Sequence, residues 1–266
     1  MDNTDSAYEI LKDCSTKTKA AVLCYRKNKD VKSLSIIVIG IIEKHLEDEY
    51  KLVLKSGGDD LLITEDLGID SIIMMEVVMN IEEVLNLSVP NEELTDLRSV
   101  GDLKFYLEKK SQGLPIPSRE QLDLDNIEAN LPYKKSFTFV QQAEIYGNSC
   151  TGFYRINGDE LFLNKNGSSV PTSIVLESLS QLAALMLLNS KGLIPNDKLI
   201  DYSKVLFIGC DGLRCFKLCS TNDILNLKVS LESIKYPVAF FKGVVFTNKS
   251  KVVTVKNISL TFDYIK

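Results

Sequence analysis

Apolar positions change period part-way along this chain. In residues 31–110 they recur three and four apart, the spacing of a helix face. Leu34, Ile37, Val38, Ile41 and Ile42 mark a first helix, which Ser33 is placed to cap. A loop follows, with Gly57-Gly58 and four acidic residues between Asp59 and Asp66. A second helix opens at Asp70-Ser71 and repeats apolar residues at Ile72, Met75, Met79 and Val84, with Glu76, Glu82 and Glu83 between them. Val89-Pro90-Asn91 breaks that pattern, and a short helix covers about residues 100–107. Residues 1–30 carry Tyr8, Ile10, Leu11 and an apolar patch at 20–23, consistent with short helices. They read as an N-terminal extension of unknown role.

Residues 111–130 hold two prolines and a glycine in Gly113-Leu114-Pro115-Ile116-Pro117 and read as a linker. Beyond it the period becomes two. Leu225, Leu227, Val229 and Leu231 alternate with Asn226, Lys228, Ser230 and Glu232, the pattern of a half-buried strand. Residues 238–246 and 252–265 read as further strands. In the last one the apolar parity flips, from Val253 and Val255 to Ile258, Leu260, Phe262 and Tyr264. A bulge near Lys256-Asn257 accounts for the flip. The exception is residues 171–189, an apolar helix with few charges, which reads as buried on most sides. The expectation is two domains: an all-α bundle, then an α+β domain of antiparallel strands around one helix.

Charge follows the same division. Residues 31–110 hold 8 basic and 17 acidic side chains, and the rest of the chain holds 23 basic and 19 acidic. The net charge of -5 argues against non-specific nucleic-acid binding, and no nucleic-acid partner is expected. The densest apolar run, residues 34–42, is too short to span a bilayer, so no membrane span is expected. The polar opening Met1-Asp2-Asn3-Thr4-Asp5 lacks a signal-peptide pattern, so a cytoplasmic location is expected. Cys14, Cys24, Cys150, Cys210, Cys215 and Cys219 then read as free thiols, mostly small buried hydrophobes. Their spacing does not match a zinc site, and no metal is expected. The single histidine, His45, reads as a helix-surface residue.

The stretch Asp66-Leu67-Gly68-Ile69-Asp70-Ser71-Ile72 resembles the attachment site of acyl carrier proteins, Asp-Leu-Gly-x-Asp-Ser-Leu. The acidic helix over 76–83, Val89-Pro90-Asn91-Glu92-Glu93 and Ser99-Val100-Gly101-Asp102-Leu103 extend the resemblance over about residues 31–110. It implies a four-helix bundle in which Ser71 carries 4′-phosphopantetheine, added by a phosphopantetheinyl transferase. Asp70, Ile72 and Glu76 would serve carrier recognition. The acidic helix would meet ketosynthase and other acyl-processing enzymes. Family members often have a polar residue two places after the serine. Here Ile73 and Met74 are apolar, a partner anchor if exposed and core if buried.

Leu131-Pro132-Tyr133-Lys134-Lys135-Ser136-Phe137-Thr138-Phe139-Val140 resembles the opening of the β-hydroxyacyl-carrier-protein dehydratases, Leu-Pro-His-Arg-Tyr-Pro-Phe-Leu-Leu-Val. Glu177-Ser178-Leu179-Ser180-Gln181 is similar to that family's Glu-Ala-Met-Ala-Gln, and residues 206–211 to its Phe-x-Gly-x-Asp segment. The resemblance implies a hotdog domain over about 131–266, dimeric, with Glu177 as candidate catalytic residue and Gln181 and Gly209 at the acyl pocket. The family's active loop carries a histidine, and residues 162–171 have none. Asn166 or Lys165 stands in its place, and neither is a good general base at its ordinary pKa. Three readings stay open. The hotdog unit binds the acyl chain with degenerate dehydratase chemistry; it is an active dehydratase or thioesterase using Glu177; or it is a non-catalytic dimeric scaffold. Glu177 also reads as an acidic residue placed in a first helical turn.

Overall fold

The computed structural model describes residues 7, 9–132, 135–158, 160, 163, 169–189, 198–248 and 250–265. The chain divides into two compact units, Met1–Ser118 and Arg119–Lys266.

The first unit is helical: α1 (Thr16–Asn28), α2 (Lys32–His45), α3 (Asp48–Gly57), α4 (Ser71–Leu85), the single turn α5 (Asn91–Leu94) and α6 (Val100–Ser111). Helix α2 is its centre. Leu34, Ile37, Val38, Ile41 and Ile42 are buried, and the helix packs against α1, α3, α4 and α6. Ser33 is not its cap. It lies buried in the first turn and donates its hydroxyl to Asp30, which also accepts the Lys32 N–H at 3.1 Å. The described part of residues 1–30 is integral to this unit. Helix α1, capped by Ser15, buries Thr18, Ala21, Val22 and Tyr25. Gly40 lets α1 approach α2, since a Cβ there would stand 2.1 Å from Thr18 Oγ1. Arg26 donates to the carbonyls of Glu83 and Val84 at the end of α4. Only Val22 and Tyr25 on this face are strongly apolar, which leaves a weak sequence period. Helix α3 escapes the sequence for a similar reason: Leu54 is buried, but Leu52 and Val53 face outward.

The second unit is an antiparallel sheet around one helix. Its strands are β1 (Glu120–Leu122), β2 (Gln142–Tyr146), β3 (Ser149–Arg155), β4 (Ser169–Val170), β5 (Leu206–Asp211), β6 (Arg214–Cys215), β7 (Cys219–Ser220), β8 (Ile224–Lys235), β9 (Val238–Thr247) and β10 (Ser250–Thr261). The main order is β1-β2-β3-β8-β9-β10-β5, with β6 beside β10 and β4 paired to β7. Helix α7 (Leu124–Asn130) follows β1, and α8 (Thr172–Asn189) packs against β2, β3, β8, β9 and β10. This is the hotdog arrangement.

The alternation in β8 holds: Leu225, Leu227 and Val229 are buried. The parity flip in β10 coincides with a register shift between Val255 and Ile258 against β9. One expectation needs correction. Residues 120–130 are not linker: β1 pairs with β2, and Leu122, Ile127 and Leu131 join the core. Three anchors spaced five and four apart across a strand and a helix leave no single period to read. Helix α8, by length and composition, is also long and apolar enough to cross a membrane, although no single run in the sequence suggests it. Here the sheet sheathes it, burying Leu179, Leu182, Leu185 and Met186.

Candidate functional site

The helical unit builds a protruding serine from a pinned loop. The Ile63 N–H donates to the Arg98 carbonyl at 2.8 Å, and the Val100 N–H to the Leu61 carbonyl at 2.9 Å. Leu67 and Ile69, each 1% exposed, plug the loop into the core. Between them Gly68 takes φ +65, facing the Tyr50 ring, a conformation and an approach that suit a residue without Cβ. The chain leaves this anchor at Asp70. Its carboxylate caps α4 by accepting the N–H groups of Ile72 and Ile73, both at 2.9 Å. Ser71 is the first residue of the fifteen-residue helix and is exposed. Its hydroxyl sits where the helix dipole favours an anion. That environment fits a phosphodiester on Ser71, with Asp70 fixing the turn that presents it.

Helix α4 is apolar on nearly every side, and of the repeat picked out in sequence only Val84 lies on its packing face. Val77, Val78, Ile81, Val84 and Leu85 are buried. Ile72, Met75 and Met79 form an outward stripe, with Ile72 70% exposed. Glu76 lies on the surface beside it. Ile73 and Met74 are half-buried, between the two alternatives for them. His45 is not a plain surface residue either, since its side chain is only 13% exposed. Its Nε2 lies 2.7 Å from Asn80 Nδ2 and its Nδ1 3.5 Å from Glu76 Oε2. Burial, helped by Lys44, holds the imidazole below its ordinary pKa, and Glu76 opposes that.

In the sheet unit the candidate residues come together in part. Glu177 lies in the second turn of α8, not the first, and is half-buried. Its Oε1 accepts from Gln181 Nε2 at 3.1 Å. Gln181, 1% exposed, bonds the backbone with both ends of its amide. Its Oε1 accepts the Phe139 N–H at 2.8 Å and its Nε2 donates to the Phe137 carbonyl at 2.7 Å. It therefore ties the 137–139 segment to the helix and holds Glu177 with the same amide. Gly209 stands apart from this knot on the edge strand β5, and a Cβ added there would meet open space. Asn166, and Lys165 with it, lie outside the described residues. Sequence reasoning missed Thr138, which is buried between the two backbone groups that Gln181 bonds. Its one signal was a threonine where the dehydratase pattern has leucine.

The cysteines are free thiols. Cys14, Cys150 and Cys219 are buried, and burial pushes the Cys14 and Cys150 thiols up and that of Cys219 to about 11. Cys215 departs from the buried expectation: it is exposed, its Sγ 3.3 Å from the Lys217 carbonyl. Among the described residues no group of His, Cys, Asp and Glu is arranged to hold a metal.

The family model for the phosphopantetheine attachment site matches residues 44–107. The acyl carrier protein of Wolinella succinogenes is 32% identical over 79 residues, covering 30% of this chain and 90% of that protein. The 3-hydroxyacyl-[acyl-carrier-protein] dehydratase FabZ of Variovorax paradoxus is 28% identical over 127 residues, covering 46% of this chain and 82% of that protein. Among solved structures, the dehydratase heterocomplex ApeI:P from Xenorhabdus doucetiae aligns with TM-score 0.44 and 16% identity over 52% of this chain and 90% of that one. With a capped, exposed serine in the matched segment and a FabZ-like sheet unit behind it, the chain belongs to the acyl carrier protein family, as a carrier fused to a hotdog domain.

Proposed function

We propose that this protein tethers acyl groups as thioesters on a 4′-phosphopantetheine arm at Ser71, in fatty-acid- or polyketide-type biosynthesis. The hotdog unit binds the tethered chain. The observation that carries the reading is the exposed Ser71 hydroxyl on a helix start fixed by Asp70. When attached, the group supplies a thiol that holds the acyl chain as a thioester. This chain's own residues present it: Leu67 and Ile69 brace the loop, and Ile72, Met75 and Glu76 offer an apolar and acidic surface to a transferase, a ketosynthase or other acyl-processing enzymes. Fusion raises the effective concentration of the acyl group near the hotdog unit to the order of mM. The edge strand β5, with exposed Leu206, Phe207 and Ile208, supports pairing of two hotdog units as a homodimer.

The hotdog chemistry is degenerate dehydration. The chain's single histidine, His45, is engaged with Asn80 and Glu76 in the helical unit, and the hotdog unit has no histidine. Absence of a general base costs about 10²–10⁴-fold. An active hotdog enzyme is the second reading, favoured by the half-buried Glu177 carboxylate held by Gln181.

Intact mass after incubation with coenzyme A and a broad-specificity phosphopantetheinyl transferase tests the first part. One phosphopantetheine mass is gained, and none in Ser71→Ala; an unmodified wild-type chain refutes it. Loading with a β-hydroxyacyl group tests the second. Little or no loss of water is expected. Rapid dehydration abolished by Glu177→Gln would replace the degenerate reading with the enzymatic one.

A further inference from the structure

The chain's single histidine serves neither the serine attachment site nor the hotdog unit, yet it stands against the helix that presents Ser71. His45 ends α2 and reaches across to α4. Its side chain is 13% exposed, whereas that of Glu76, which it meets, is 60% exposed. The ring Nε2 lies 2.7 Å from Asn80 Nδ2, and Nδ1 lies 3.5 Å from Glu76 Oε2. Glu76 and Asn80 are four residues apart, so they are neighbours on one side of α4. That side borders the exposed stripe of Ile72, Met75 and Met79. One imidazole therefore bridges two polar residues at the edge of the outward surface.

These contacts fix the ring's proton. A bare Nδ1 would set a lone pair against a carboxylate. The neutral ring therefore keeps its hydrogen on Nδ1, and Asn80 donates to Nε2. At 3.5 Å the neutral ring holds Glu76 only loosely, and the carboxylate is free to meet a cation from outside. A second proton changes this. Imidazolium at the same distance forms an ion pair with Glu76, and Asn80 must turn its carbonyl oxygen toward the new Nε2–H. Burial and then Lys44, next to His45 on α2, disfavour the charged ring, and Glu76 from α4 favours it. Glu43, also on α2, is paired with Lys55 of α3 at 2.9 Å.

We infer that His45 is a positioning residue for docking at the Ser71 helix: neutral, it leaves Glu76 to a partner's Lys or Arg, and protonated, it claims that carboxylate and weakens docking. This rests on the proposed place of Glu76 in the surface offered to partner enzymes. It adds a competitor for that carboxylate built into this chain and controlled by one proton. By linkage, a partner that takes Glu76 favours the neutral ring and drives the proton off His45.

The test is calorimetric binding of a broad-specificity phosphopantetheinyl transferase to the full, unmodified chain without coenzyme A, so that no transfer occurs. Wild type and His45→Gln are compared from about pH 8 to about pH 5, the range in which histidine titrates. The transferase's own titration cancels in the ratio. Circular dichroism confirms that both chains are folded at each pH. Near pH 8 the two should bind alike. Toward pH 5 wild type should bind about two- to fivefold more weakly than His45→Gln, the effect of one partly exposed ion pair. Low-pH titrations in two buffers of different ionisation heat should show more proton release on docking for wild type than for His45→Gln. Glu76→Gln should bind more weakly near pH 8, and in that background His45→Gln should no longer change the pH dependence. A ratio that stays flat with pH, a ratio that changes equally in the Glu76→Gln background, or an imidazole whose NMR signal does not titrate while the chain is folded would overturn the inference while leaving Ser71 loading intact. A wild-type chain that neither binds the transferase nor gains a phosphopantetheine would remove the carrier reading, and the inference with it.

Discussion

Replacing Gln181 by leucine isolates what one side chain does for the hotdog unit. Leucine keeps most of the bulk and none of the hydrogen bonds. The Phe137 carbonyl loses its donor and the Phe139 N–H loses its acceptor, both in a segment closed over the core. The buried Phe139 N–H left without its acceptor costs about 1–3 kcal/mol, and the part-buried Phe137 carbonyl, which water can reach, less, about 0.5–1.5 kcal/mol. Leucine is more favourably buried than glutamine, which offsets about 1–2 kcal/mol. At mid-range values the expected net loss is about 1.5 kcal/mol. The chain has 10 tyrosines and no tryptophan, so unfolding is best followed by circular dichroism and tyrosine fluorescence in guanidinium. Amide exchange at Phe139 supplies the local readout, and its protection should fall. Gln181→Glu sharpens the test. It preserves shape and an acceptor for Phe139 but sets a second carboxylate against Glu177, so it too should destabilise. A loss below about 0.5 kcal/mol in Gln181→Leu, with Phe139 exchange unchanged, would refute the argument that this amide holds the segment.

Two further predictions concern the helical unit. Gly40→Ala places a Cβ 2.1 Å from Thr18 Oγ1 and should cost about 1–3 kcal/mol by chemical denaturation. Adding Thr18→Ala removes the clashing atoms and should recover part of that loss; strict additivity would count against the contact. Burial holds the His45 imidazole below its ordinary value of 6.5, so the unfolded chain takes up the proton first as pH falls. Stability is therefore fullest above that value and declines as pH drops through it. His45→Gln should flatten this part of the pH–stability curve, and an identical slope in both proteins would contradict the assignment.

The sequence by itself determined the two-unit plan, because period and charge both change along the chain. It determined the carrier serine's setting, because Asp-Leu-Gly-Ile-Asp-Ser spells a pinned turn and a capped helix in consecutive residues. It also determined the β10 bulge, because strand parity records which face each residue takes. These are local facts written in adjacent positions. Tertiary structure alone decided which side of α4 is packed, since a helix apolar on nearly every side reveals no preferred face until the bundle buries Val77, Ile81 and Val84. It decided that α1 and the 120–130 segment belong to folded cores, because their few anchors, such as Tyr25 and Ile127, gain meaning only from distant partners. It also decided the role of Gln181 and the lack of a partner for the Thr138 hydroxyl among the described residues. The hydrogen bonds of Gln181 join positions some forty residues apart, and no local pattern encodes whether a buried polar atom finds its partner.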